Sequence, residues 1–152
     1  MGLFSNLLGR RKPDLPPVDL GLLECDVHSH FIPGIDDGAP TVEASMELLR
    51  AMHDLGFRKV VTTPHSMADG YRNPPEVILG GLEKLRRAVK GSGIPLEVEA
   101  AAEYYLDHAL MENVASQKLL TFGRDMVLFE LPFLSEPAVL FNLVFEMQTQ
   151  GF

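Results

Sequence analysis

Apolar and polar positions change their period several times along the chain. Residues 21–27 (GLLECDV) form a short apolar run bounded by turn-forming residues, which predicts a first strand. Val42, Met46, Leu49 and Met52 then fall on one helical stripe that runs to about Leu55. Thr41 stands at the cap position, Glu43 in the first turn and Gly56 just past the end. Residues 57–63 read as a second strand ending at Pro64-His65. Asn73, Pro74 and Glu76 carry the pattern of a helix start, with a cap, a proline at the first helical position and a capping-box acid. Ile78, Leu82, Leu85 and Val89 give that helix one apolar face, and Gly91-Ser92-Gly93 stops it. A third strand follows over 94–102 and stops at Glu103. A short helix is expected over 106–115 and a fourth strand over 126–129, ending at Glu130. The last helix, over 136–150, is apolar almost all round, which predicts burial on more than one side.

Strand and helix in alternation predict an α/β fold with parallel strands and right-handed crossovers. In such folds ligands and chemistry gather at the C-terminal ends of the strands. The residues at those ends are His28 and His30, then His65, Glu103 and Glu130, with Asp36 and Asp37 in the first loop. Histidines at i and i+2 on an extended segment point the same way, so His28 and His30 are aimed at one point. Imidazole with carboxylate suits manganese, iron or zinc, and shared carboxylates suit a site with more than one ion. His53, inside the first helix, and His108, in a connecting segment, fall outside this set.

Composition narrows the partners. A chain of 152 residues is one ordinary domain with enough length to bury a core. Its net charge of −8 argues against a nucleic-acid partner held through phosphates. A metal cluster would still make the site locally positive, which keeps anionic substrates open. The single cysteine, Cys25, excludes an internal disulfide and is expected as a buried core thiol in a cytoplasmic protein. No run approaches the roughly 18–20 apolar residues of a membrane span, so no integral membrane segment is expected. Residues 1–21 read as a leader and proline-rich linker, and residues 22–152 as the domain.

The segments DVHSHFIPGIDDG, TTPHS, AAEYYLD and LFELP together resemble the PHP (polymerase and histidinol phosphatase) superfamily. Within it, the chain is most similar to the bacterial capsule and exopolysaccharide-type protein-tyrosine phosphatases, over about residues 22–152. The resemblance implies a distorted seven-stranded β/α barrel holding two or three divalent metal ions, often manganese. It would place His28 and His30 on one ion, Glu103 between two, Glu130 on the second, and Asp37 and His65 on a third. Asp37, His65 and Arg72 are the implied catalytic residues, Arg72 as a phosphate contact from the loop 66–72. The implied reaction is metal-assisted hydrolysis of phosphotyrosine on protein, with a bacterial tyrosine kinase of polysaccharide export as the suggested substrate.

This sequence departs from the family pattern in three places. Ser66 stands where many relatives carry a second histidine, and neither an AHPER-like motif nor a late D-x-H occurs. Since a β/α barrel typically needs about 250 residues, the expected fold is the N-terminal part, about four β/α units, of such a barrel. An open half-barrel would leave Val139-Leu140-Phe141 and Leu143-Val144-Phe145 uncovered and prone to self-association. Three other readings stand beside the phosphotyrosine phosphatase. One is a histidinol-phosphatase-like phosphoesterase. Another is an amidohydrolase, for which Lys59 and Lys118 are poorly placed to supply a carboxylated lysine. The last is a non-catalytic half-barrel fragment.

Overall fold

The computed structural model describes residues 16–133 and 138–152. The first fifteen residues of the expected leader, and the expected start of the last helix at Glu136, lie outside the described residues. After a 3-10 turn at Leu20–Leu23, ten strands and α-helices follow in order among the described residues: β1 (Cys25–Asp26), α1 (Val42–Asp54), β2 (Lys59–Thr62), β3 (His65–Ser66), α2 (Pro75–Ser92), β4 (Glu97–Ala100), β5 (Glu103–Tyr105), α3 (His108–Ala115), β6 (Leu128–Glu130) and α4 (Leu140–Gln150).

Every strand pair is parallel, as the alternation predicts, but the strands form two short sheets rather than one. The first has the order β1-β2-β4 and the second β3-β5-β6. Two interruptions separate them. Pro64 cannot donate to a ladder, and the chain breaks across Thr63-Pro64 before resuming at His65. The neighbouring strand breaks in step at Ala101-Ala102, so the single strand expected over 94–102 is really β4, a break, and then β5. Across the breaks the Ala101 amide donates to the Thr62 carbonyl at 3.0 Å, and the Glu103 amide to the Pro64 carbonyl at 3.0 Å. His65 and Glu103 therefore open new strands, side by side in register.

The first strand is also shorter than its apolar run. Leu20–Leu23 coil into a 3-10 turn, because the Asp19 side chain accepts the Gly21 amide at 3.0 Å and starts a turn where the run alone suggests extension. Only Cys25–Asp26 pair with β2, and Cys25 is half-buried rather than sunk in the core.

The helices follow their periodicity. Thr41 caps α1 by accepting the Ala44 amide at 3.2 Å, and Leu49 is buried in its stripe. On α2, Ile78, Leu82, Leu85 and Val89 are all buried, and with Ile32, Val60, Val98, Leu110 and Val114 they build the core. The α2 start differs from expectation. Pro74 occupies the cap without a side-chain bond and Pro75 is the first helical residue, because the Asn73 amide is used elsewhere. On α4 only Leu143 and Met147 are buried, whereas Phe141 is 77% and Phe145 69% exposed. The burial on several sides that its composition predicts is absent among the described residues.

Gly81 lets α2 close onto the loop after β1. A Cβ there would collide with Cγ2 of Ile32, a fully buried and stiff β-branched side chain. Alanine would gain about 1 kcal/mol in helix propensity, but overpacking typically costs about 1–3 kcal/mol. Gly81→Ala is therefore expected to lower stability in urea unfolding, and a stabilised variant would contradict this packing.

Candidate metal centre

The site begins with two threonines at the end of β2. Thr62 Oγ1 donates to the Ser29 carbonyl at 2.9 Å and accepts the Phe31 amide at 2.8 Å, while the Thr63 amide donates to the Ser29 carbonyl at 2.6 Å. These bonds lash the segment after β1 to the neighbouring strand. Thr63 Oγ1 also meets His28 Nδ1 at 3.0 Å, which leaves the His28 Nε2 facing inward. The two histidine rings stand edge to face, with centroids 5.5 Å apart.

Glu103 is the hub. Its buried carboxylate lies 3.6 Å from His28 Nε2, 3.3 Å from His30 Nε2 and 3.1 Å from His65 Nδ1. His65 Nδ1 is also 3.7 Å from Glu130, and His65 Nε2 is 3.6 Å from Asp37. Ligand atoms within 4.8 Å of one another fall into three overlapping sets: His28, His30 and Glu103; His30, Asp37 and His65; and His65, Glu103 and Glu130. The six residues expected as ligands, five at the strand ends and Asp37 in the first loop, are thus brought together.

The donor set passes a direct test of fit to a cation. Glu103 Oε2 and His65 Nδ1 are buried and face each other, yet neither has a hydrogen-bond partner among the described residues. A buried polar atom left unsatisfied costs about 1–3 kcal/mol. A divalent ion would satisfy both at once, and its imidazole and carboxylate donors are the types that manganese, iron and zinc accept.

The roles of four contributing residues escape sequence reasoning, although it does place Asp36 at the site. Asp36, beside the expected ligand Asp37, is fully buried at its side chain and bonds His30 Nδ1 at 2.7 Å. That hydrogen bond to Asp36 is the main cause holding the His30 imidazole above its usual pKa, against opposing burial. Burial pushes the Asp36 carboxyl up, but hydrogen bonds from His30, the Gly38 amide and the His65 amide outweigh it and hold the group below the usual carboxylate range. Thr63 is the second, and Tyr71 the third, its ring stacked on His65 at 5.7 Å and 11°.

Asn73 is the fourth. It is buried, and its side-chain amide donates to the Ile35 and His65 carbonyls, both at 2.9 Å. It ties the first loop to β3 instead of capping α2. Asn73→Ala strands two carbonyls beside the cluster and is expected to cost about 1–3 kcal/mol. Thermal unfolding measures it, and an unchanged midpoint would show that the bonds contribute nothing.

Arg72 is not brought into the cluster. It is exposed, with Nε donating to the Ala68 carbonyl at 2.6 Å and Nη2 paired with Asp69 at 3.2 Å. The Asp107 carboxylate accepts the Ala68 amide at 2.7 Å and caps α3, pinning the same loop from the other side. His53 lies within α1 and His108 is exposed at the start of α3, as expected for residues outside the site.

With this geometry in place, similarity to known proteins can be set beside it. Residues 24–152 match the family described as "Capsular polysaccharide synthesis, CpsB/CapC". The tyrosine-protein phosphatase YwqE of Bacillus subtilis is 29% identical over 128 residues, which are 84% of this chain and 50% of its own. The tyrosine-protein phosphatase CpsB of Streptococcus pneumoniae is 28% identical over 98 residues, 64% of this chain and 40% of its own. A chain from the crystal structures of YwqE and CpsB, described as unique metal-dependent tyrosine phosphatases, aligns with a TM-score of 0.78 at 29% identity. That alignment covers 84% of this chain and 52% of the other. This chain spans about half the length of the curated relatives it matches. The resemblance drawn from the four sequence segments is borne out, and the parallel α/β architecture matches that of a solved relative.

Proposed function

The chain belongs to the CpsB/CapC family of capsular polysaccharide synthesis, and from that premise we propose that its strand-end cluster holds divalent metal ions and serves hydrolysis of phosphotyrosine on protein. The observation that carries this reading is Glu103, a buried carboxylate facing three histidines with one oxygen unsatisfied. Manganese is the ion we propose, with iron or zinc as alternatives, and the cytoplasm as the compartment. Among the described residues no helix is long and apolar enough to cross a membrane.

His28, His30 and Glu103 would hold one ion, Glu103 would be shared with a second beside Glu130, and Asp37 and His65 would hold a third. When bound, such ions polarise phosphoryl oxygens and acidify water. The chain's own residues do the rest. Glu103, buried at the start of β5, would hold its carboxylate between the histidines as a ligand common to two ions. Asp37, 63% exposed at its side chain, presents the solvent-facing side of the cluster to an incoming phosphate. Tyr71 holds the His65 ring flat. Arg72 would reach a phosphate only by releasing its contacts to the Ala68 carbonyl and Asp69.

A tyrosine kinase of polysaccharide export is the substrate partner we propose. We also propose self-association through the apolar surface of Phe133, Phe141 and Phe145, which are 99%, 77% and 69% exposed. Light scattering tests it, and a monodisperse monomer would refute it. The activity is tested with a manganese-loaded chain on a phosphotyrosyl peptide, a phosphoseryl peptide and histidinol phosphate. Turnover of the phosphotyrosyl peptide alone is expected. Preference for histidinol phosphate would move the chain to that substrate, and metal uptake without turnover would mark it as non-catalytic.

A further inference from the structure

The paired aspartates of the first loop divide their labour. Asp37 points outward toward His65 and His30, at 3.6 and 3.9 Å. Asp36 turns inward and is fully buried at its side chain. Its Oδ2 accepts from His30 Nδ1 at 2.7 Å and from the His65 backbone amide at 3.1 Å, and its Oδ1 accepts from the Gly38 amide at 3.0 Å. One oxygen therefore touches both histidine-bearing segments, the loop after β1 and the start of β3. We propose that Asp36 is the positioning residue of this site: it holds His30 in the tautomer with the proton on Nδ1, so that Nε2 offers its lone pair to the cluster, and it sets His65 in register with His30.

The geometry leaves that carboxylate little freedom. Gly38 has no room for a Cβ, which would collide with the His30 carbonyl oxygen and Cβ, and the Ala39 amide donates to the same carbonyl at 3.0 Å. The loop thus folds back tightly over His30, and Asp36 must face inward. From the other side Asn73 holds Ile35 and His65 by their carbonyls. All three donors to Asp36 point at acceptor-only oxygens, a demand that an ionised carboxylate meets and an amide does not. In Asp36→Asn one oxygen would be replaced by an NH2 group. It would face either the Gly38 N–H or His30 Nδ1, and in the second case it drives the His30 proton to Nε2. Carboxylate partners of ligating histidines elsewhere act in this way, and their loss costs roughly 10–100-fold in metal affinity.

This inference rests on the proposed metal site for its consequence, but its core is readable without metal. Long-range 1H–15N spectra of the metal-free chain with labelled histidine, at a pH where imidazoles are neutral, report each tautomer. In the wild-type chain His30 is expected as the Nδ1–H form. The Nε2–H form there would overturn the proposal without any variant. In Asp36→Ala, which removes the acceptor outright and avoids the two orientations of an asparagine, His30 is expected to shift toward Nε2–H and manganese affinity to fall about 10–100-fold, while His53 and His108 stay unmoved. A variant that loses stability yet keeps the wild-type His30 tautomer would reduce Asp36 to a structural filler and overturn the assignment. If the wild-type chain takes up no manganese, the metal reading fails, and the tautomer measurement still decides the role of Asp36.

Discussion

Glu103→Gln is expected to empty the cluster of metal while leaving the fold intact. Among the described residues, Glu103 is the one carboxylate within 3.6 Å of all three histidines His28, His30 and His65. Glutamine keeps its shape and its packing, but it removes the negative charge and sets an NH2 donor among imidazole nitrogens that must also be lone-pair donors to a cation. The loss should exceed the roughly 10–100-fold that follows removal of an outer-shell partner, because here a ligand common to two of the three sets disappears. The fold should survive, since Glu103 is held in β5 by backbone pairing with His65 and Leu128 and by its amide bond to Pro64, none of which uses the side chain. Dialysis followed by elemental analysis measures the metal, and circular dichroism with thermal unfolding measures the fold. Equal metal in both proteins would remove Glu103 from the centre of the site.

Leu85→Ala is expected to do the opposite, lowering stability while the folded fraction keeps its metal. Leu85 is fully buried on the face of α2 that also carries Ile78, Leu82 and Val89. Truncating such a leucine costs about 2–5 kcal/mol, from lost transfer free energy plus the cavity left behind. Its helix packs on β4, which leads through Ala101-Ala102 directly to Glu103. The scaffold and the ligands are therefore linked along the chain but separable by mutation. Urea unfolding measures the loss, and a change below about 1 kcal/mol would mean that the α2 face is not the core it is taken to be.

What the sequence made legible follows from which signals are local. The stripes of α1 and α2 were readable because a 3.6-residue period is carried by the helix itself. The gathering of His28, His30, Asp37, His65, Glu103 and Glu130 was readable because parallel α/β folds concentrate chemistry at one end of their strands. The end of the second strand was readable at Pro64, but the break at Ala101-Ala102 was not, because the alternation of Leu96-Glu97-Val98-Glu99 runs on into alanines and nothing within 94–102 marks a gap. Leu22 and Leu23 looked like strand because a short apolar run reads as one, until a single Asp19 bond turned them into a 3-10 helix.

Asn73 shows a different failure. Asn-Pro-Pro-Glu satisfies the helix-start pattern on paper, but its amide has long-range acceptors at Ile35 and His65, and tertiary bonding wins over local capping. Asp36 and Asp37 are chemically identical neighbours, so only the folded loop can tell the holder from the ligand. The composition of α4 suggested burial all round, whereas Phe141 and Phe145 face solvent among the described residues. Arg72 matches a family position, yet its guanidinium is tied to its own loop.

The measurement that bears most directly on the central claim is the metal content of the freshly purified chain, by elemental mass spectrometry without added metal, followed by titration with manganese. The account predicts manganese, iron or zinc at one ion per chain or more, or saturable uptake of manganese where the purified chain has lost it. A chain that carries no metal and takes none up at millimolar manganese would contradict it, and would leave the buried Glu103 and His65 atoms facing each other without the cation their geometry requires.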